Sequence, residues 1–185
     1  MTSPLPSCGR CACFAAVLGL LFMVSHTAKA QKADRGYRVQ VGDPVPTFAL
    51  TDLDGKVWSN EDLLGSVYIL QFTASWCGVC RKEMPHLEER VWQRFKEDGL
   101  TLLGVDLDEP MDKVRGLVED TGVTYPLCLD PGGALFAAVT VPKAGVTRNV
   151  VVDREGNIAF LTRLFDEAEF NAMIDAVDTL MNTDR

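Results

Sequence analysis

Phe72-Thr73-Ala74-Ser75-Trp76-Cys77-Gly78-Val79-Cys80-Arg81-Lys82-Glu83-Met84-Pro85 constrains this chain more than any other stretch. An apolar, strand-like run from Val67 to Phe72 leads into it, and a helix-like run from Val79 to Phe95 leads out. Cys77 therefore belongs at a strand-to-helix turn, by the first turn of the helix. The unpaired N–H groups and the positive dipole end there favour an anion. A thiol so placed should ionise more readily than free cysteine, and the thiolate is the nucleophile. Two residues separate Cys77 from Cys80, so one helical turn can bring the sulfurs within bonding reach. One sulfur can then attack a foreign disulfide and the other resolve the mixed disulfide.

A lone C-x-x-C can also be half of a zinc site. Beyond the first thirty residues the other soft ligands are Cys128 and His86, and no second C-x-x-C or H-x-x-x-H exists; no metal is expected. A structural disulfide without redox work is the other alternative. Trp76, placed to cover one side of a sulfur, and Pro85, which removes a helical hydrogen bond and kinks the helix, favour redox chemistry.

Residues 1–30 read as a signal peptide. Arg10 supplies a minimal positive segment, Ala12 to Val24 an apolar one, and Ala28-Lys29-Ala30 a small-x-small cleavage site before Gln31. The apolar run is short of the roughly 20 residues of a membrane span; an uncleaved anchor is the alternative. Cys8 and Cys11 precede the apolar run, Cys13 lies at its start, and all three would leave with the segment. Without that segment the chain carries 16 basic and 26 acidic residues, a net charge of −10. Phosphate backbones demand a basic face, so nucleic acid is not an expected partner. The 155 residues from Gln31 to Arg185 suffice for one hydrophobic core. Export implies a compartment in which three cysteines meet oxidising conditions.

Residues 31–40 are polar and read as a loose leader, and 41–185 as one domain. Thr47 to Thr51 reads as a strand, Asp52-Leu53-Asp54-Gly55-Lys56 as a hairpin turn, and Ser59-Asn60-Glu61-Asp62 as a capping box with Asp in the usual Glu place. Leu100 to Val105 reads as a buried strand. Asp106-Leu107-Asp108-Glu109-Pro110 reads as an acidic loop whose charges suit a helix N-terminus better than calcium. Met111 to Thr121 has helical periodicity, Tyr125 to Leu129 is apolar, and a short helix should end at Val139. Asn149 to Val152 and Ile158 to Leu164 read as strands joined by a turn, and Asp166 to Met181 as a closing amphipathic helix. This order predicts an α/β fold, a mixed β-sheet flanked by helices.

Val41-Gly42-Asp43-Pro44, Asp54-Gly55-Lys56, Leu64-Gly65 and the Trp76-to-Pro85 segment together resemble the TlpA/ResA-like thiol–disulfide oxidoreductases, in the AhpC/TSA-redoxin branch of the thioredoxin superfamily. The likeness runs on through Met111 to Thr121 and Val150-Val151-Val152-Asp153-Arg154-Glu155-Gly156. It implies a thioredoxin-like fold with an N-terminal β-hairpin extension and an inserted helix. It implies extracytoplasmic dithiol chemistry, with Cys77 as attacking thiol, Cys80 as resolving thiol and no cofactor. Disulfide-containing exported proteins are the expected substrates, and a membrane thiol-relay protein the expected electron donor. Reduction is favoured over oxidation, although Gly78 and Val79 do not fix the direction.

Glu83 looks like the acid that this family sets beside its cysteines. It lies one helical turn past Cys80, and a partly buried carboxyl there would have a raised pKa and could exchange protons with sulfur. The alternative is an exposed helix glutamate. Gln71 stands where thioredoxin carries a buried acid. One departure concerns the family's cis-proline, whose place falls at Thr147 within Gly145-Val146-Thr147-Arg148-Asn149. A cis bond before a non-proline costs about 2.5–4 kcal/mol, so Val146–Thr147 is expected to be trans. Trp76, Val146 and Thr147 are the expected substrate-groove residues, and Thr147 is a candidate to hydrogen-bond a sulfur. Cys128 reads as a buried small hydrophobe, and His86 as a boundary residue. Two other functions compete. A peroxiredoxin-like peroxidase would need Pro in place of Leu70 and Thr or Ser in place of Ala74. A non-catalytic metal- or protein-binding module would not need the cysteine pair.

Overall fold

The computed structural model describes residues 35–183; the predicted signal segment and residues 31–34 lie outside the described residues. Seven strands form one mixed sheet in the order β2-β1-β5-β4-β3-β6-β7. The strands are β1 (Ala49–Asp52), β2 (Val57–Ser59), β3 (Tyr68–Thr73), β4 (Thr101–Leu107), β5 (Leu127–Asp130), β6 (Arg148–Val152) and β7 (Ile158–Leu161). β4 runs parallel to β3 and to β5, and the other pairings are antiparallel. The helices are α1 (Asn60–Leu63), α2 (Gly78–Leu87), α3 (Gln93–Phe95), α4 (Met111–Thr121), α5 (Ala134–Val139) and α6 (Glu167–Asn182).

Every residue of β3 is buried, because layers cover both sheet faces. On one face Tyr68, Leu70 and Phe72 meet Val150, Val152, Leu135, Phe136 and Val139. On the other, Ile69 and Val151 meet Met84, Leu87, Val114, Leu117 and the apolar stripe of α6. The expected hairpin extension is β1–β2, turned by Asp52. Its Oδ1 accepts from the Asp54 and Lys56 N–H groups and its Oδ2 from Trp58 Nε1. The capping box at Ser59 forms with Asp62 as its acid. α4 is the expected inserted helix, closed by Gly122 at φ 69°.

The topology gathers four chain ends at one sheet edge. β3, β4 and β5 finish there and β6 begins there, so the segments after Thr73, Leu107 and Asp130 and before Arg148 are neighbours. Open α/β sheets place their reactive groups at such an edge.

Three sequence readings need correction. β4 continues through Asp106 and Leu107, so Asp106 is a fully buried strand residue and not part of a solvated loop. β7 ends at Leu161, short of the expected Leu164, whose backbone takes φ 61°. Residues 35–40, expected to be loose, are fastened to the domain. Arg35 pairs with Glu169, the Tyr37 hydroxyl donates to the Thr162 carbonyl, and Tyr37 bridges Thr140. Arg38 N–H donates to Val139 O at 2.8 Å. These partners lie a hundred or more residues away, where local polarity carries no signal.

Gly104, in the middle of β4, has no room for a side chain. A Cβ there would stand 2.8 Å from Leu127 Cγ and 3.3 Å from Tyr125 Cε2. Gly104→Ala is expected to destabilise the fold by about 1–3 kcal/mol through overpacking. Urea unfolding should show a lower midpoint at an unchanged slope.

Candidate active site

Cys77 is the N-cap of α2, and its sulfur does the capping. Cys77 Sγ accepts the Cys80 N–H at 3.1 Å, as a Ser or Asp side chain would at this position. Gly78 and Val79 supply the next N–H groups of the same helix end. The two cysteines are joined as a disulfide with their Cα atoms 5.3 Å apart. They are not equivalent: Cys77 retains 7% of its surface, whereas Cys80 has none.

Pro85 lies within α2 and cannot donate a backbone hydrogen bond. Just beyond it the Glu88 N–H is shared between the Met84 and Pro85 carbonyls, and a π turn follows over Glu88–Trp92. The kink expected from Pro85 thus takes the form of a wider turn, about one helical turn beyond Glu83.

Thr147, the residue just before β6, faces the sulfurs. Its Oγ1 lies 3.2 Å from Cys77 Sγ and 3.2 Å from Cys80 Sγ. No cis peptide bond occurs among the described residues, so Val146–Thr147 is trans. The segment is pinned on both sides. Leu164 N–H donates to Thr147 O at 3.0 Å. The buried Arg148 donates through Nε to Gly145 O and through Nη1 to Arg35 O, with its guanidinium 4.3 Å from the Tyr37 ring centre. The fastened N-terminal segment therefore supports the loop that carries Thr147.

Glu83 is 1% exposed, which excludes the solvent-facing alternative. Its Oε1 accepts from Asn149 Nδ2 at 2.8 Å, and Asn149 is held in turn by the Thr162 hydroxyl. Oε2 is buried without a partner within bonding distance. Burial pushes the Glu83 carboxyl up to about 7, against the opposing pull of the Asn149 and Gln71 amides. Gln71, opposite Asn149 in the β3–β6 register, accepts from the Tyr125 hydroxyl at 2.8 Å. A polar pocket thus sits inside an apolar face, one turn along the helix from Cys80.

Sequence reading missed a second acidic element. Glu109, from the turn after β4, accepts the Ser75 N–H at 2.5 Å and the Ser75 hydroxyl at 2.7 Å. It thereby ties down the loop that carries Trp76 and Cys77. Asp106 Oδ1 accepts the Glu109 N–H at 3.2 Å. Burial, and then the Glu109 charge beside it, push the Asp106 carboxyl up to about 7. The available signal was the position of both acids just after an apolar strand, at the edge where the cysteines lie.

The remaining candidates separate. Trp76 is 66% exposed beside the disulfide, while Val146 and Thr147 are buried. Arg81 pairs with Asp120 at 2.8 Å, and Lys82 is exposed. His86 stacks on Phe165 at 4.8 Å and takes no part in the site. Cys128 is wholly buried on β5, where burial pushes its thiol up to about 12. Among the described residues no three His, Cys, Asp or Glu side chains gather as a metal site.

Comparison with known proteins agrees with this geometry. The AhpC/TSA family profile matches residues 41–161. The thiol–disulfide oxidoreductase ResA of Bacillus thuringiensis (strain Al Hakam) is 31% identical over 121 residues, 65% of this chain and 68% of that protein. ResA of Geobacillus kaustophilus is 30% identical over 144 residues, 78% and 81% of the two chains. The solution structure of a proposed protein disulfide isomerase from Bacteroides thetaiotaomicron superposes with a TM-score of 0.76 at 48% identity. It covers 79% of this chain and 92% of the other. A thioredoxin-family thiol:disulfide interchange protein from Chlorobium tepidum shares the fold with a TM-score of 0.63 at 24% identity, over 78% and 99% of the two chains. Its sequence and its cysteine-bearing strand–helix turn place the chain in the AhpC/TSA family, as a ResA-like thiol–disulfide oxidoreductase with a thioredoxin-like fold.

Proposed function

We propose that the chain is exported and acts as a disulfide reductase, with Cys77 as nucleophile, Cys80 as resolving thiol and Glu83 as the proton acceptor for Cys80. The observation that carries this reading is the asymmetry of the pair. Cys77 reaches the surface and caps a helix, whereas Cys80 is enclosed on the same helix as a buried acid. In the reduced protein a Cys77 thiolate would be held by the Cys80 N–H and the helix dipole. It attacks a substrate disulfide, one substrate thiolate leaves, and a mixed disulfide forms. Cys80 passes its proton to the Glu83 carboxylate and attacks Cys77 Sγ. The second substrate thiolate leaves and the internal disulfide closes. Two electrons pass from the cysteines to the substrate.

Glu83, with its ionisation near 7, is matched to accept a proton at neutral pH. The substrates are disulfide-containing exported proteins, and Trp76, Val146 and Thr147 line the groove that receives them. A membrane thiol-relay protein returns the electrons. Residues 1–30 direct export and 31–40 form a leader whose last residues dock on the domain 41–185. The short apolar run before Ala28-Lys29-Ala30 supports this reading. No described helix is long and apolar enough to cross a membrane.

Cys77→Ser is expected to abolish disulfide reduction, and Cys80→Ser to accumulate a mixed disulfide visible by intact mass. Reduction that survives Cys77→Ser overturns the assignment. Equilibration in defined thiol buffers is expected to give a reduction potential near or below about −270 mV, as for thioredoxin, and a value near about −120 mV would assign an oxidase instead.

Glu83→Gln is expected to slow closure of the internal disulfide about a hundredfold and to remove a kinetic ionisation near 7. The same carboxyl bears on stability. Its ordinary value of 4.5 is raised to about 7 on folding, so the folded chain binds the extra proton between these values and loses stability as pH rises across them. Asp106 acts with the same sign from 3.8 to about 7. Urea titrations at several pH values should show a smaller loss in Glu83→Gln, by on the order of 2 kcal/mol.

A further inference from the structure

Thr147 Oγ1 stands at the same distance, 3.2 Å, from both sulfurs of the pair. A threonine hydroxyl has one hydrogen, so it donates to one sulfur at a time and must rotate about its Cβ–Oγ bond to serve the other. Dithiol exchange likewise places negative charge on one sulfur at a time. It lies on Cys77 in the reduced protein and on Cys80 when the mixed disulfide is resolved. The two sulfurs are unequally provided for. Cys77 Sγ also accepts the Cys80 N–H at 3.1 Å at the start of a helix. Cys80 Sγ is fully buried, with the Thr147 hydroxyl as its hydrogen-bond partner. A thiolate formed there without a donor would bear its full desolvation cost.

We propose that Thr147 is a catalytic residue, a rotating hydrogen-bond donor that serves each sulfur in turn and acts chiefly on the resolving step. The proposal rests on the assignment of Cys77 as attacking and Cys80 as resolving thiol. The hydroxyl makes and breaks no covalent bond. Cys80 still gives its proton to Glu83, and its electron pair still forms the bond to Cys77 Sγ as the substrate thiolate departs. Nucleophilicity falls with thiol basicity only at about half strength, so a donor that favours the thiolate is a net gain. A proline side chain in this place would carry no donor.

Thr147→Val keeps the shape and removes the hydroxyl, and Thr147→Ser keeps the hydroxyl. Reduced protein mixed with the aromatic disulfide DTNB releases one thionitrobenzoate on attack and a second on resolution. Burial of Cys128 keeps its thiol out of both phases. In Thr147→Val the second phase is expected to slow about tenfold, with its ionisation moved to higher pH, while the first phase slows less than about threefold. Thr147→Ser should match the parent in both phases. An unchanged second phase in Thr147→Val, or equal slowing of both phases in the Val and Ser variants, overturns the proposal. If Thr147→Val does not fold, Thr147→Ala against Thr147→Ser decides the same question. Release of both equivalents by Cys80→Ser would overturn the thiol assignment instead.

Discussion

Gln71 stands opposite Asn149 where β3 pairs antiparallel with β6, and this register organises the site. Side chains alternate across a strand, so the same pairing sends Phe72 and Arg148 to one face and Gln71 and Asn149 to the other, beneath α2. Asn149 then reaches Glu83, and Thr147, two residues earlier and just before β6, reaches the sulfurs. A slip of β6 by one residue would exchange its faces, putting Arg148 under the helix and Asn149 into the opposite core, away from Gln71. Apolar packing by Tyr68, Leu70, Val150 and Val152 on the far face holds the register. Hydrophobic burial thus fixes hydrogen-bond geometry several residues away.

The same edge carries two buried carboxyls raised for the same first reason, burial. Their surroundings divide their work. Glu83 is embraced by amides from two strands, on the helix that bears the cysteines. Asp106 holds the backbone of Glu109, whose carboxylate grips Ser75. Under the proposed mechanism the first acid takes the proton of Cys80, while the second anchors the loop that carries Trp76 and Cys77.

Much of this was legible in the sequence because it is local. The cysteine spacing, the capping box at Ser59, the turn at Asp52 and the full length of α4 each depend on residues within one or two turns of each other. Glu83 was readable from the family resemblance together with its helical spacing from Cys80, and Thr147 from the resemblance, as the residue in the family's cis-proline place. Asn149, Glu109 and the docking of Arg35, Tyr37 and Arg38 were not. Each acts on a partner at least 34 residues distant, and none stands out from its neighbours in polarity. Asp106 was misjudged for a related reason. A charge among Asp108 and Glu109 looks solvated until the parallel pairing with β3 and β5 shows that it is enclosed.

Cys128 has a consequence of its own. Three cysteines among the described residues allow three disulfide pairings in principle, and a redox protein must visit the dithiol state repeatedly without straying into the wrong two. Here the choice does not depend on relative rates. Cys128 is sealed within the sheet with its thiol held to about 12, so it is neither ionised nor accessible while the fold persists. Fidelity of pairing is a property of the folded state: β5 lies between β1 and β4 in the interior of the sheet, and the third thiol becomes available for exchange only when that strand opens.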